Sequence, residues 1–256
     1  MFSIQNPWIF TFGVLGNIVA FMVYVSPLPT FRRIIKKKST EGFQCFPYLI
    51  ALLSCMLWVY YACNKQTKDY LLISINSLGF IIEGIYIALY VTYAPRKAKV
   101  STLKLLMLLN FMGFSSIVLC CTFLANDSNR VHVLGWICLS FSISVFAAPL
   151  SIIRQVIKTR SVEFMPFPLS FFLTLNAIMW FFYGFLQKDL YITLPNILGL
   201  IFGIVQMVIY IMYKKCIKGI VEEHELPTVQ KHNISPISAS DPICFSPEET
   251  ERGQMP

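Results

Sequence analysis

The chain contains its own first third twice. Residues up to 93 recur, diverged but legible, 120 to 122 positions further on. At an offset of 122, Pro27-Leu28 falls on Pro149-Leu150, Arg32 on Arg154, Lys36 on Lys158, Ser39 on Ser161, Glu41 on Glu163, Trp58 on Trp180 and Tyr61 on Tyr183. After a two-residue slip, Lys68-Asp69 falls on Lys188-Asp189, Asn76 on Asn196, Gly79 on Gly199, Tyr90 on Tyr210 and Tyr93 on Tyr213. A period this long excludes a solenoid of short units and fits a duplicated bundle. Polar residues recur inside apolar runs, so the duplication carries a site and not only a scaffold.

Those apolar runs decide the solvent. Of 256 residues, 56% are hydrophobic and only 13% charged, with a mean hydropathy of +0.63, too few charges to clothe a soluble globule. Seven runs are long enough to cross a hydrocarbon core of about 30 Å at ~1.5 Å per residue. They span 8–29, 45–63, 70–93, 104–124, 131–153, 166–186 and 190–213. The first follows no basic leader and leads straight into a basic loop, so it reads as a retained span and not a cleaved signal.

Lysine and arginine in the short loops set the orientation. Arg32, Arg33, Lys36, Lys37 and Lys38 lie between runs one and two. Arg96, Lys97 and Lys99 lie between three and four, and Arg154, Lys158 and Arg160 between five and six. The alternate loops carry few cations, with Asp69, Asp127 and Asp189 beside them. The positive-inside bias predicts an extracellular N-terminus and a cytosolic C-terminus. It also accounts for the net charge of +8 without a nucleic-acid partner, because the basic residues are strung between spans.

Each repeat holds three spans, an odd number, and the unpaired span at 104–124 restores the orientation of the second copy. The expected fold is therefore all-α: two parallel three-helix repeats, 8–93 and 131–213, joined by an inversion linker helix. A tail from 219 to 256, rich in Pro, Ser and Glu, is expected to be disordered. Parallel repeats of this kind place substrate at their seam near the membrane midplane.

Polar residues mark that seam. Asn76 and Asn196 lie seven residues beyond Asp69 and Asp189, roughly 10 Å down a helix. Trp58 follows Ser54 by four residues and Trp180 follows Asn176 by four, so each pair shares a face. An indole face stacks on the C–H face of a sugar ring, and amides pair with hydroxyls that both donate and accept. A neutral polyhydroxylated ligand suits such a lining. The alternatives are an interfacial aromatic belt for the tryptophans, the reading given to Trp8 and Trp136, and helix–helix hydrogen bonds for the asparagines. Pro27 and Pro149 match near the ends of spans one and five, with Pro47 and either Pro166 or Pro168 entering spans two and six. Kinks there would supply hinges. Pro29, Pro95 and Pro195 read as helix boundaries, although Pro195 directly precedes Asn196 and would loosen span seven there.

These paired Pro-Leu, Trp, Tyr, Asp and Asn elements, over residues 8 to 213, resemble the plant SWEET (MtN3/saliva) sugar transporters. The resemblance implies a sugar site lined by Trp58, Asn76, Trp180 and Asn196 and shaped by Ser54, Asn176, Ser142 and Val145. It implies a cytosolic gate of Pro27, Pro47, Pro149 and Pro166. An extracellular gate would comprise Tyr61 and Asp189, with Tyr183 and Lys65 near them. Small residues at Ser54 and Val145 resemble the sucrose-carrying subgroup, with hexoses or gibberellin as further substrates. The resemblance also implies a plasma-membrane address and homo- or hetero-oligomers, for which Gly113 and Gly135 are lipid-facing candidates.

Energy coupling is read from the spans. Glu83 is the one acidic residue deep in a run, its counterpart is Gly203, and neither a basic partner nor a nucleotide-binding motif accompanies it. Passive bidirectional uniport follows, with no cofactor, no metal and no enzymatic constellation. The nearest rival is a proton-coupled amino-acid exporter of the PQ-loop relatives. Those carry a Pro-Gln pair, whereas leucine follows both Pro27 and Pro149.

Overall fold

The structure, a computed structural model, describes residues 7–145, 147–159 and 167–225. Its described elements are helices: α1 (Pro7–Val25), α2 (Leu28–Lys37), α3 (Phe46–Asn64), α4 (Tyr70–Tyr93), α5 (Arg96–Leu105), α6 (Phe114–Leu124), α7 (Asp127–Val145), α8 (Ala147–Thr159), α9 (Phe167–Gln187) and α10 (Leu190–Glu225). A π-helical stretch, Leu106–Gly113, joins α5 to α6. Seven of the resulting segments are long and apolar enough to cross a membrane, which makes this a multi-pass membrane protein.

Proline and glycine chemistry sets the breaks. Pro27 has no N–H to give the Val23 carbonyl, which takes that of Ser26 at 3.1 Å, and α1 ends. At the same place the Tyr86 hydroxyl of α4 donates to the Tyr24 carbonyl at 3.1 Å. α2 closes on Lys38 in a left-handed conformation, and Glu41 (φ 47°) and Gly42 (φ 83°) turn the chain back toward α3. Glu41 accepts from Lys37 at 2.5 Å and Arg33 at 2.6 Å, and these bonds hold its carboxyl below the usual carboxylate range.

Three sequence expectations need correction. The fourth span starts at Arg96 and not at 104, because Pro95 fits the helix entry and the Arg, Lys and Ala that follow are good helix formers. Pro195 is no boundary: it lies inside α10, in the second turn after Leu190. That helix also runs on to Glu225, past the expected tail start at 219, and residues from 226 lie outside the described ones.

The chain forms two compact units, residues 1–146 with 172–200, and residues 147–171 with 201–256. In the first, one core draws on both repeats: Leu53, Leu57, Tyr61 and Ile75 meet Leu134, Cys138, Trp180 and Tyr183. A second core, around Phe31, Ile34, Leu49, Tyr86 and Tyr90, belongs to the first repeat alone. The linker is fastened to that repeat, with Asn110 Nδ2 3.2 Å from the Leu49 carbonyl and the Tyr60 and Thr122 hydroxyls 3.3 Å apart. The second unit has a small core of Val156 and Tyr213.

Equivalent glycines let spans approach. A Cβ on Gly13 would lie 2.5 Å from Leu71, and the matching Gly135 faces Tyr191 just as closely. Gly135 is therefore buried under Tyr191 and not offered to lipid for assembly. Gly184 is the stiffest case, since a Cβ there would meet the Thr193 backbone nitrogen at 2.9 Å, whereas one on Gly84 meets nothing within 4 Å. Gly184→Ala should lower the unfolding free energy by about 1–3 kcal/mol. Gly84→Ala should leave it unchanged or raise it by roughly 0.5–1 kcal/mol. Thermal unfolding of the two variants in the same micelles checks the contrast.

Candidate functional site

The short loops before α4 and α10 bring two aspartates to one end of the first unit. Each first serves its own helix. Asp69 accepts from the Leu72 N–H at 3.2 Å, and Asp189 from those of Tyr191 at 3.1 Å and Ile192 at 3.3 Å. Each carboxylate thus satisfies amide donors that a helix start leaves unpaired.

The remaining lone pairs cross to the other repeat. The Tyr61 hydroxyl of α3 donates to Asp189 Oδ2 at 2.8 Å, and the Tyr183 hydroxyl of α9 donates to Asp69 Oδ1. Equivalent residues therefore clasp one another reciprocally, so the repeat seen in the sequence becomes a two-fold exchange of hydrogen bonds. One lysine breaks the symmetry. Lys65 Nζ lies 2.8 Å from Asp189, 3.3 Å from Asp69 and 2.9 Å from Gln187 Oε1, and Gln187 occupies its own matching position in the second repeat. The Asp69 and Asp189 side chains are only 1% and 6% exposed, so the cation between them offsets repulsion that water no longer screens.

One turn further in lie the tryptophans. Trp58 meets Tyr61 edge-on with ring centres 5.6 Å apart, and Trp180 meets Tyr183 edge-on at 5.1 Å. Trp180 is 7% exposed and packs against Gly16 of α1, whereas Trp8 and Trp136 are 63% and 60% exposed. A belt role thus suits the latter two and not Trp180. Asn76 Nδ2 donates to the Leu72 carbonyl at 2.9 Å and Asn196 Nδ2 to that of Ile192 at 2.7 Å. Both amides are tied back along their own helices, which does not match the expected helix–helix alternative. Helix bridging falls instead to Asn17, which links α1 to the Leu71 carbonyl and Ser74 of α4.

Among the other residues singled out, Asn176 carries a buried Oδ1 without a partner among the described residues. Ser54 and Ser142 are half-buried, and Val145, at the end of α7, is exposed. Pro27 occupies the α1–α2 break, Pro47 the first turn of α3, and Pro149 lies inside α8. Pro166 lies outside the described residues, and Pro168 sits in the first turn of α9. The resemblance implied Tyr61, Asp189, Tyr183 and Lys65 but neither Asp69 nor Gln187, which the structure bonds to Tyr183 and Lys65. The repeat itself held the signal, since Asp69 matches Asp189 and Gln187 matches Lys65.

Known proteins share the repeat and the fold. A family model described as a sugar efflux transporter for intercellular exchange matches residues 10–98 and 132–218, one match per repeat. The chain belongs to this MtN3 family. Among the curated members, the bidirectional sugar transporter SWEET13 of Arabidopsis thaliana is 59% identical over 82% of this chain and 71% of its own length. SWEET14 of the same plant is 56% identical over 90% of this chain and 83% of its own. A solved eukaryotic SWEET transporter superposes with a TM-score of 0.78 at 36% identity, covering 83% of this chain and all of that one.

The crossed clasp predicts a specific pattern of coupling. Asparagine caps a helix as well as aspartate does, so Asp69→Asn removes the charge and spares the cap. In a double-mutant cycle for unfolding, Tyr183→Phe with Asp69→Asn should couple by about 1.5–3 kcal/mol, and so should Tyr61→Phe with Asp189→Asn. The unbonded pair Tyr61→Phe with Asp69→Asn should couple less. Equal coupling in all three cycles would refute the reciprocal arrangement.

Proposed function

We propose that this chain is a bidirectional facilitative sugar transporter that carries sucrose across the plasma membrane, with its N-terminus outside and its C-terminus in the cytosol. The observation that carries the reading is the pairing of two tryptophans, each one turn inside a tyrosine that bonds the other repeat's aspartate. The relatives named as bidirectional sugar transporters support it, as do the loop charges for the orientation.

The residues divide into roles. Trp58 and Trp180 present ring faces to a pyranose, while Asn76 and Asn196, with Asn176 and Ser54 behind them, offer amide and hydroxyl groups. No donor among the described residues reaches the side-chain oxygen of Asn76 or Asn196, so both oxygens are left for a ligand hydroxyl. The Tyr61–Asp189 and Tyr183–Asp69 bonds act as the extracellular gate. Charge-assisted bonds of this kind contribute about 1.5–3 kcal/mol each, weak enough to break once per cycle. The proline set Pro27, Pro47, Pro149 and Pro166 acts at the cytosolic end, where a missing N–H makes bending cheap. Uniport follows because the pathway residues need no ion. The repeats 8–93 and 131–213 act as the two moving triplets and the helical segment 96–124 as their linker. Gibberellin and hexoses are secondary substrates, and self-assembly or assembly with relatives is compatible with the exposed apolar faces.

Two predictions follow from these roles. Trp58→Ala or Trp180→Ala should abolish uptake of labelled sucrose by expressing cells, with surface expression retained. Wild-type rates in both would dismiss the pocket. Val145→Met adds volume where sucrose needs room for a second ring, and overpacking costs roughly 1–3 kcal/mol. Sucrose transport should fall about tenfold while glucose transport is spared. Equal loss of both sugars would assign Val145 to the gate or the fold.

A further inference from the structure

Away from the seam, the repeat preserves one more pattern. α1 is 19 residues long, about 28 Å of helix, and so crosses a hydrocarbon core of about 30 Å on its own. α2 therefore begins where the hydrocarbon ends, after the Pro27 break, and carries Arg32, Arg33, Lys36 and Lys37 at the level of the headgroups. α7 is also 19 residues long, and α8 follows it in the chain at the matching place.

α2 presents a graded series of stripes. Phe31 and Ile34 are buried in the core of the first repeat. At about 3.6 residues per turn, Leu28 and Ile35 fall beside them, and Arg32 and Lys36 on the next stripe outward. Leu28 and Ile35 are nonetheless 57% and 42% exposed. Arg33 and Lys37 lie farthest round the helix, where Glu41 binds both. No carboxylate among the described residues pairs with Arg32 or Lys36.

The second repeat keeps the two outward stripes and drops the third. Leu150, Arg154, Ile157 and Lys158 stand 122 positions after Leu28, Arg32, Ile35 and Lys36. In α8 all four are exposed, while Val156, the match of Ile34, is buried in a core with Tyr213. Gln155 and Thr159 replace the two cations that Glu41 holds. The positive-inside bias asks for cations in a loop and not for fixed positions on a helix face. It gives no reason for two outward apolar residues to recur beside them.

A phospholipid accounts for both kinds of residue. Acyl chains cover the leucine and isoleucine, the stems of arginine and lysine lie along that apolar surface, and their charged heads meet the headgroup phosphate. Arg32 and Lys36 are one turn apart on one face, close enough for a single headgroup to bridge them. We propose that Leu28, Arg32, Ile35 and Lys36, and again Leu150, Arg154, Ile157 and Lys158, form matched binding sites for anionic phospholipid. Basic residues just beyond a span attract such lipids in the cytosolic leaflet. The sites rest on the multi-pass fold, and only the choice of leaflet depends on the orientation proposed above.

Native mass spectrometry of the purified full-length chain in uncharged detergent, supplied with equal amounts of phosphatidylserine and phosphatidylcholine, tests the sites. Two phosphatidylserine molecules per chain should be retained in preference to phosphatidylcholine. Arg32→Gln with Lys36→Gln should leave one, and adding Arg154→Gln and Lys158→Gln should leave none. Each double substitution should weaken its site by at least about fivefold, the factor that one cation near a headgroup supplies. Arg33→Gln with Lys37→Gln removes the same charge and should leave both lipids bound. Leu28→Gln with Ile35→Gln removes no charge and should lose one. Equal losses from the two cationic pairs of α2 would reduce the effect to general loop charge and overturn the sites, as would equal retention of the two lipids by the wild type. Full binding in the Leu28→Gln, Ile35→Gln variant, or displacement by glycerophosphoserine, which is the headgroup without its chains, would make the ligand a soluble anion and overturn them too. No sugar enters the measurement, so its failure leaves the transport reading standing.

Discussion

Two aspartates that each face two ways tie the repeats together at one end of the first unit. Asp69 and Asp189 start α4 and α10 by capping their first amides, and the same carboxylates receive the tyrosines of the opposite repeat. Helix geometry therefore fixes the acceptors for both tyrosines with no side chain devoted to that task alone. Trp58 and Trp180 lie one turn from those tyrosines and meet them edge-on, so the bonds that hold the tyrosines also bear on the tryptophans. Were a cap to fail, the tyrosines and the tryptophans against them would shift together.

Duplication does not make the halves alike. Lys65 matches and bonds Gln187, the linker is bonded to α3 through Asn110 and Tyr60, and Glu83 is matched by Gly203 in the second repeat. A single cation lies between the two carboxylates, 2.8 Å from Asp189 and 3.3 Å from Asp69.

Most of the architecture was legible because membrane spans announce themselves by length and apolarity, and because the repeat placed equivalent residues at equal depth. The start of span four at Arg96 was hidden: basic residues look like a loop, yet Arg, Lys and Ala extend a helix that Pro95 begins. Pro195 looked like a boundary because proline usually is one. At the site, Tyr61 and Asp189 were named and Asp69 was passed over, since the reciprocal exchange exists only once the two repeats meet. Gly135 was misread as lipid-facing because spacing alone does not tell which face Tyr191 would fill.

The central claim is that sugar passes by alternating exposure of a site behind a gate that must close as well as open. Counterflow separates this from a pore. Proteoliposomes holding the purified protein and preloaded with unlabelled sucrose are diluted into a trace of labelled sucrose, with no ion gradient imposed. The account predicts a transient accumulation of label above its equilibrium level. A monotonic approach to equilibrium, or accumulation only under an imposed proton gradient, would contradict it.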